Sequence, residues 1–439
     1  MEALRFGLRV EKVEKDGTRI RSIVFSDGSV VAAKVFVDAG YEGDLMARAK
    51  VSYTWGRESR AEFDEEAAGV RFDKTPRKAA TVDENGKLLP GINGWARDLK
   101  EGAAHRGVMN YNWRLCLSND PEKLVPMPQP READTPVRKG GEAADKSVHL
   151  AFRYDRARYR LLENWLREKA ALNQGVKLTD IIDLYSHAPG RKDKKEVNNK
   201  QAAVISVGHF GGQFDYPDAD YATRERIVAD HTNYTLGLFH FLATDESVPE
   251  NLRAEVKQWG LHKEEFADNG HWPYQPYVRE ARRMRGAFIV TQRDVQEDRR
   301  KSDAIAVGSH FIDSHHVQRL ALSPTEFVNE GRIWRIGFAY QIPYRALTPK
   351  AGECSNLLVP GAASYTHVAF CTYRLESTWM MGGHAAGVAA AMAARESKSV
   401  QELDVAALQE RLREQEQVVD FIAGQPEKFQ GGTAGPPEF

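Results

Sequence analysis

The stretch that most limits how this chain can fold is residues 356–394, NLLVPGAASYTHVAFCTYRLESTWMMGGHAAGVAAAMAA. Leu357, Leu358 and Val359 form an apolar run of the length of a buried strand, and Pro360 with Gly361 ends it. A polar, aromatic loop is expected next. An Ala/Gly-rich segment follows, and its length and alanine content favour helix. On that helix Gly383 and Gly387 share a face, as do Gly382 and Ala386, so the surface there has almost no side-chain bulk. A smooth face admits another backbone, or a ligand, at close range. The helix is expected to start near Gly382, where its free N–H groups would attract electron-rich or anionic groups. The alternative is a tightly packed core helix. A transmembrane span is not favoured, because the run is Ala/Gly rather than Leu/Ile and contains His384.

The chain has 439 residues, enough for two or three cores. Its 61 basic and 62 acidic residues leave a net charge of −1, which argues against nucleic acid or a membrane surface as partner. Cys116, Cys354 and Cys371 are far apart with no CxxC, so neither a disulfide framework nor a structural zinc site is expected, and a reducing compartment fits. The first residues lack an apolar core of the signal-peptide kind, and a cytoplasmic location is the expectation. Nothing in the sequence sets an oligomeric state.

Residues 4–37 read as strands with a hairpin turn at Asp27 and Gly28. Val35, Phe36 and Val37 form a compact apolar run that ends in Asp38, Ala39 and Gly40. A buried strand running into a small-residue loop is typical where a nucleotide crosses strand ends in an α/β sheet. An ordinary strand-to-helix turn, with Asp44 at the helix start, is the alternative. No G-x-G occurs anywhere in the chain, so the usual backbone cradle for a dinucleotide pyrophosphate is not visible. Residues 121–148 read as a polar, Pro-rich surface linker. Helices are expected near residues 159–171, 222–243 and 249–259, and a tail after a last helix reads as disordered. In YVREARR (277–283), a helix would put Arg279 and Arg283 on one face, able to grip a carboxylate or phosphate. Surface pairing with Glu280 is the alternative, worth roughly 0–1 kcal/mol.

Several of these segments together resemble one family. Residues 356–359, 366–370, 373–374 and 384–390 match in order the C-terminal signature of the FAD-dependent oxidoreductase family, distantly similar to fumarate reductase flavoproteins. VFVDAGYEGDL (35–45), the YNWRLCL element (111–117), YVREARR and YQIPYRAL (340–347) resemble further segments of it. The resemblance implies an α/β fold: a Rossmann-like flavin domain, discontinuous and lacking its first βαβ unit, with an inserted α+β substrate domain. The flavin domain would comprise residues 1–60 and 340–400, the insert 61–339, and a C-terminal helix and tail 401–439. It implies FAD as cofactor. Asp38, Ala39, Gly40 and Asp44 would lie along the dinucleotide, and Gly361, Arg374, Gly382 and Gly383 beside the ring or its phosphates.

Flavin chemistry needs a group that handles a proton. His367, expected in the loop over the ring, is the first candidate, with Arg279 as a substrate grip and His209 and His315 as second choices. A histidine that only bonds loop backbone is the alternative for His367. His310, Asp313, His315 and His316 lie close in sequence, but extended backbone would point them to opposite sides, so no metal site is assigned. The expected function is hydride transfer between flavin and a small polar substrate, a carbohydrate or a carboxylate. The rivals are a non-catalytic binding protein on a degenerate flavoprotein scaffold, and a metal-dependent hydrolase or polysaccharide-cleaving enzyme built on the histidine cluster.

Overall fold

The computed structural model describes residues 4–130, 152–186, 190–335, 337–422, 424 and 428–429. Both ends of the chain enter one structural unit. Val10–Asp16, Arg19–Phe25 and Val30–Ala32 form an antiparallel three-stranded sheet. The chain then turns into Phe36–Val37, which pairs in parallel with Leu357–Leu358, more than three hundred residues later. Asn356, fully buried, ties the two together: its Nδ2 donates to the carbonyls of Ile20 (2.9 Å) and Lys34 (3.0 Å), and its Oδ1 accepts from Ile20 N–H (2.8 Å). One amide side chain thus satisfies backbone groups of the hairpin that no ladder could reach.

After Leu357–Leu358 come the helices His367–Tyr373 and Glu376–Glu396. The region expected as an aromatic loop is therefore largely helix. Thr366 caps its start by accepting from Ala369 N–H at 3.3 Å, and every residue of His367–Tyr373 is buried. Glu376–Glu396 buries Gly382, Ala385, Ala386, Ala389 and Ala393 against the core it shares with Ile305, Ile342 and Leu358. Among the described residues no helix is long and apolar enough to cross a membrane.

Residues between these two parts build a second core. A five-stranded sheet packs near the 24-residue helix Tyr221–Thr244, whose N-cap Asp220 accepts from Thr223 N–H at 2.7 Å. Arg160–Ala171 adds Leu161, Leu162 and Leu166 to this core. A four-stranded sheet contains Gln318–Ser323 and Glu326–Glu330. The expected linker is only partly a linker: Leu124–Val125 pairs as an edge strand with Gly260–His262. Residues 131–148, and the end of the tail from 430, lie outside the described residues.

YVREARR is extended, not helical. Tyr277 pairs its backbone with Asn112, and Arg283–Met284 pairs with Tyr53–Thr54. Extended backbone sends each arginine to a different side, where each meets its own partners. Arg279 and Arg283 therefore do not form a twin grip on one face.

Candidate functional site

The loop after Phe36–Val37 is shaped by Asp38. Its carboxylate accepts from Gly40 N–H (3.1 Å) and Met46 N–H (2.9 Å), and burial pushes its pKa up to about 6. Asp38 therefore folds the loop. Asp44 opens the helix Asp44–Arg48 and is clamped by Arg224 and Arg282, each at 2.8 Å. Glu42 accepts from the Tyr216 hydroxyl at 2.9 Å. The charged side chains of residues 38–44 are thus engaged in holding the loop, while Ala39 and Gly40 stay exposed.

Gly361 crosses directly over this loop. A Cβ there would sit 2.3 Å from the Gly40 carbonyl oxygen, so only glycine permits the approach. The indole of Trp379 donates to the Gly361 carbonyl at 3.1 Å, and the Tyr41 ring lies 5.0 Å from that of Trp379. The neighbouring helix begins at Glu376, ahead of the start expected near Gly382, and no side chain caps it. Gly382 lies inside the helix, and its role is packing: a Cβ would come 2.7 Å from the Tyr373 hydroxyl. Gly383 and Gly387 have open space where a Cβ would stand.

The start of this helix opens into a cleft of about 1180 Å³ lined by Leu375, Glu376, Arg374, Tyr277, Asp313 and His315, among others. Arg374 is buried, donating to the Asp313 carbonyl at 2.8 Å, with its Nη1 3.4 Å from the Tyr277 hydroxyl. It faces the cleft wall and not the Gly361 loop. Tyr277 has guanidinium groups of Arg114 and Arg279 each 5.0 Å from its ring centre. Burial raises its pKa, against the pull of those cations. Sequence reasoning missed Tyr277, although it opens the YVREARR segment.

Arg279 lies behind the cleft, 1% exposed. It donates to the Asn110 carbonyl, to Asn112 Oδ1 and to Asn198 Oδ1 (3.2 Å). None of these partners is an acid. Burial, with Arg374 and Arg114 near by, lowers its pKa to about 9, so it remains a cation at neutral pH. The same surroundings act on His315: burial, Arg279 and Arg374 hold its pKa well below the usual value, so the ring is neutral. Its Nδ1 lies 2.7 Å from Gln201 Nε2.

Two other expected histidines lie elsewhere. His367 begins a helix and does not line the cleft. Its Nδ1 lies 2.9 Å from both oxygens of Glu280, which also pairs with Arg283, and Arg283 in turn bonds Glu58 at 2.6 Å. All four are buried, and the Glu58 carboxylate accepts the His367 backbone N–H at 2.9 Å. A ring so enclosed anchors the helix. His209 is paired with Asp230 at 2.9 Å and stacked on Tyr234, outside the cleft. In residues 310–316 the side chains turn to separate partners: His310 to the Phe311 carbonyl, Asp313 to Arg374, His315 to Gln201 and His316 to Asp73. Among the described residues no group of three or more His, Cys, Asp or Glu could hold a metal ion.

A parallel strand pair whose small-residue loops touch beside a helix start, opening into a polar cleft, is the arrangement in which α/β proteins take up nucleotides across strand ends. The family model described as FAD dependent oxidoreductase matches residues 3–412, and the chain belongs to that family, whose cofactor is FAD. No curated protein and no solved structure matches it. The exposed Ala39 and Gly40, the Gly361 crossing and the helix start without a side-chain cap leave a surface with little side-chain bulk, which fits the close approach of a dinucleotide.

Proposed function

We propose that this chain is an FAD-dependent oxidoreductase acting on a small polar substrate, a carbohydrate or a carboxylate, held in the cleft beside the Glu376–Glu396 helix. The observation that carries the reading is the parallel pairing of Phe36–Val37 with Leu357–Leu358, which brings Gly40 and Gly361 into backbone contact next to that helix start. Ala39, Gly40, Gly361 and the first turn of the helix would hold the cofactor. When bound, it supplies hydride transfer to or from a substrate carbon.

The residues of the chain do the rest. Arg374 and the field of Arg279 orient an electron-rich group of the substrate. Proton handling falls to His315 and Tyr277, which both line the cleft. With Gln201 donating to Nδ1, His315 carries its proton on Nε2 and acts as a donor. Turning the Gln201 amide over presents its oxygen, moves the proton to Nδ1 and makes Nε2 an acceptor. As an acceptor Nε2 takes the substrate's proton, and the imidazolium so formed returns it in the reverse direction.

The test is titration of the purified protein with FAD, followed by absorbance and flavin fluorescence. Stoichiometric uptake is expected. A protein that stays colourless at saturating FAD overturns the reading and favours a non-catalytic scaffold.

A further inference from the structure

The cleft does not end at its own wall. A second basin of about 630 Å³ adjoins it and shares Arg77 and Ala202 as lining residues. Arg77 forms the saddle between them: its guanidinium is bound to the carbonyls of Ala202, Ala203 (2.9 Å) and Gln201 (3.3 Å), so it is held down against the 201–203 turn. Together the basins of about 1180 and 630 Å³ exceed the roughly 300–1,000 Å³ of a pocket for one drug-sized molecule. Their length suits a chain.

The lining indicates what kind of chain. The proximal cleft carries a run of rings, with Phe311 4.0 Å from His310 and 4.1 Å from Trp334 by ring centres. The distal basin carries Trp165, with Lys169 Nζ 5.6 Å from its ring centre. Flat apolar faces next to polar groups suit sugar rings, which present C–H faces and hydroxyl edges. Charge then selects among sugars. Arg279, buried behind the proximal cleft, has no acid among its hydrogen-bond partners, a costly arrangement that an anion in the cleft relieves. In the distal basin Lys74 and Lys78 are exposed, and neither has an ion pair among the described residues. Acids also line the groove, but four of them are paired: Asp183 with Lys200, Glu196 with Arg114, Asp313 with Arg374 and Asp73 with His316, while Glu376 and Glu168 lie at its edges. Arg279, Lys74 and Lys78 are the cations that these acids do not pair.

We propose that the two basins form one groove for an oligosaccharide of acidic sugars, a chain bearing a carboxylate on each ring. One carboxylate lies in the field of Arg279 and Arg374, and a later one reaches Lys74 and Lys78. The inference rests on the reading that the cleft is the substrate site.

Calorimetry on the full chain tests it, with trigalacturonate, monomeric galacturonate and neutral maltotriose as probes. Trigalacturonate is expected to bind about tenfold or more tighter than the monomer, a gain of at least about 1.4 kcal/mol. Its affinity should fall as salt rises from about 50 to about 300 mM. Maltotriose should bind far more weakly. The double variant Lys74→Glu with Lys78→Glu, at exposed positions, should lower trimer affinity about tenfold and leave the monomer unchanged. Equal affinity for maltotriose overturns the acidic class. Equal affinity for monomer and trimer, or a double variant without effect, overturns the distal site. FAD titration of the same samples separates the two claims. Protein that takes up FAD but fails these tests loses only the groove. Protein that binds the acidic chain but no FAD loses only the oxidoreductase reading.

Discussion

Replacing Gly361 with alanine attacks the contact on which the site depends. The added methyl would lie 2.3 Å from the Gly40 carbonyl oxygen, 3.1 Å from the Gly40 carbonyl carbon and 3.2 Å from that of Ala39. An ordinary approach needs about 1 Å more, and both sides of the clash are backbone, so no side chain can rotate away. The loops must part. Parting them strains the Asp38 N–H bond to the Leu358 carbonyl (2.8 Å), which closes the strand pair, and the Trp379 bond to Gly361. Overpacking of this kind costs about 1–3 kcal/mol, and a melting unit of 150–250 residues loses about 2–4 °C per kcal/mol. Gly361→Ala should therefore melt several degrees lower and bind FAD at least tenfold more weakly. Gly383→Ala is the internal comparison. Nothing stands within 4 Å of its new methyl, and the helix gains about 0.8–1.0 kcal/mol in propensity. That variant should melt at or above the wild-type temperature. Differential scanning fluorimetry with and without FAD reads both quantities. If Gly361→Ala kept the wild-type melting point and FAD affinity, the two ends of the chain would not meet as described.

Three further outcomes follow from the same structure. Tyr277→Phe should leave FAD binding intact and slow substrate-dependent flavin reduction by roughly 10²–10⁴, measured by stopped flow, and an unchanged rate removes the hydroxyl from proton handling. Glu65, 2% exposed, accepts from Thr366 Oγ1 at 2.6 Å and Gln292 N–H at 2.7 Å, and burial raises its pKa from an ordinary 4.5 to about 7. The native state then holds a proton that the unfolded state releases, so stability is fully present below about 4.5 and is lost as pH rises through about 7, by an amount on the order of 3 kcal/mol. Glu65→Gln should flatten that decline in urea titrations run between those pH values, and an unaltered slope refutes the assignment. Asn356→Ala should cost about 2–4 kcal/mol by leaving backbone groups of Ile20 and Lys34 unpaired, and a loss below 1 kcal/mol would show that water replaces the amide.

The elements legible in the sequence are those whose cause is local. The apolar run at 35–37 ending in a small-residue loop and the alanine-rich stretch after 376 carry their own propensity, and the helix Tyr221–Thr244 carries its own cap in Asp220. The parallel pairing of Phe36–Val37 with Leu357–Leu358 has no local signature in either run. Asn356 was visible only as the first letter of a motif. Its task, bonding strands from the other end of the chain, has no local signature.

The site residues divide along the same line. Arg279, Arg282 and Arg283 have a helix-like spacing, but three buried cations need three separate partners, and a single helical face cannot deliver them. Extended backbone sends Arg282 to Asp44 and Asp218, and Arg283 to Glu58 and Glu280. Arg279 reaches only neutral oxygens. Because acids pair with Arg282 and Arg283, their charge is used up in holding the 38–44 loop and the His367 helix. Only the third leaves its charge uncompensated where a ligand can answer it. The histidine that seemed best placed in sequence, His367, is for the same reason enclosed: its helix start needs Glu280 to anchor it, and a ring bonded on that side does not reach the cleft. His315 and Tyr277 do line the cleft, and they are the groups to which the proposed function gives the proton. Burial is the first cause of both their pKa shifts; the Arg279 cation adds to it at His315 and works against it at Tyr277.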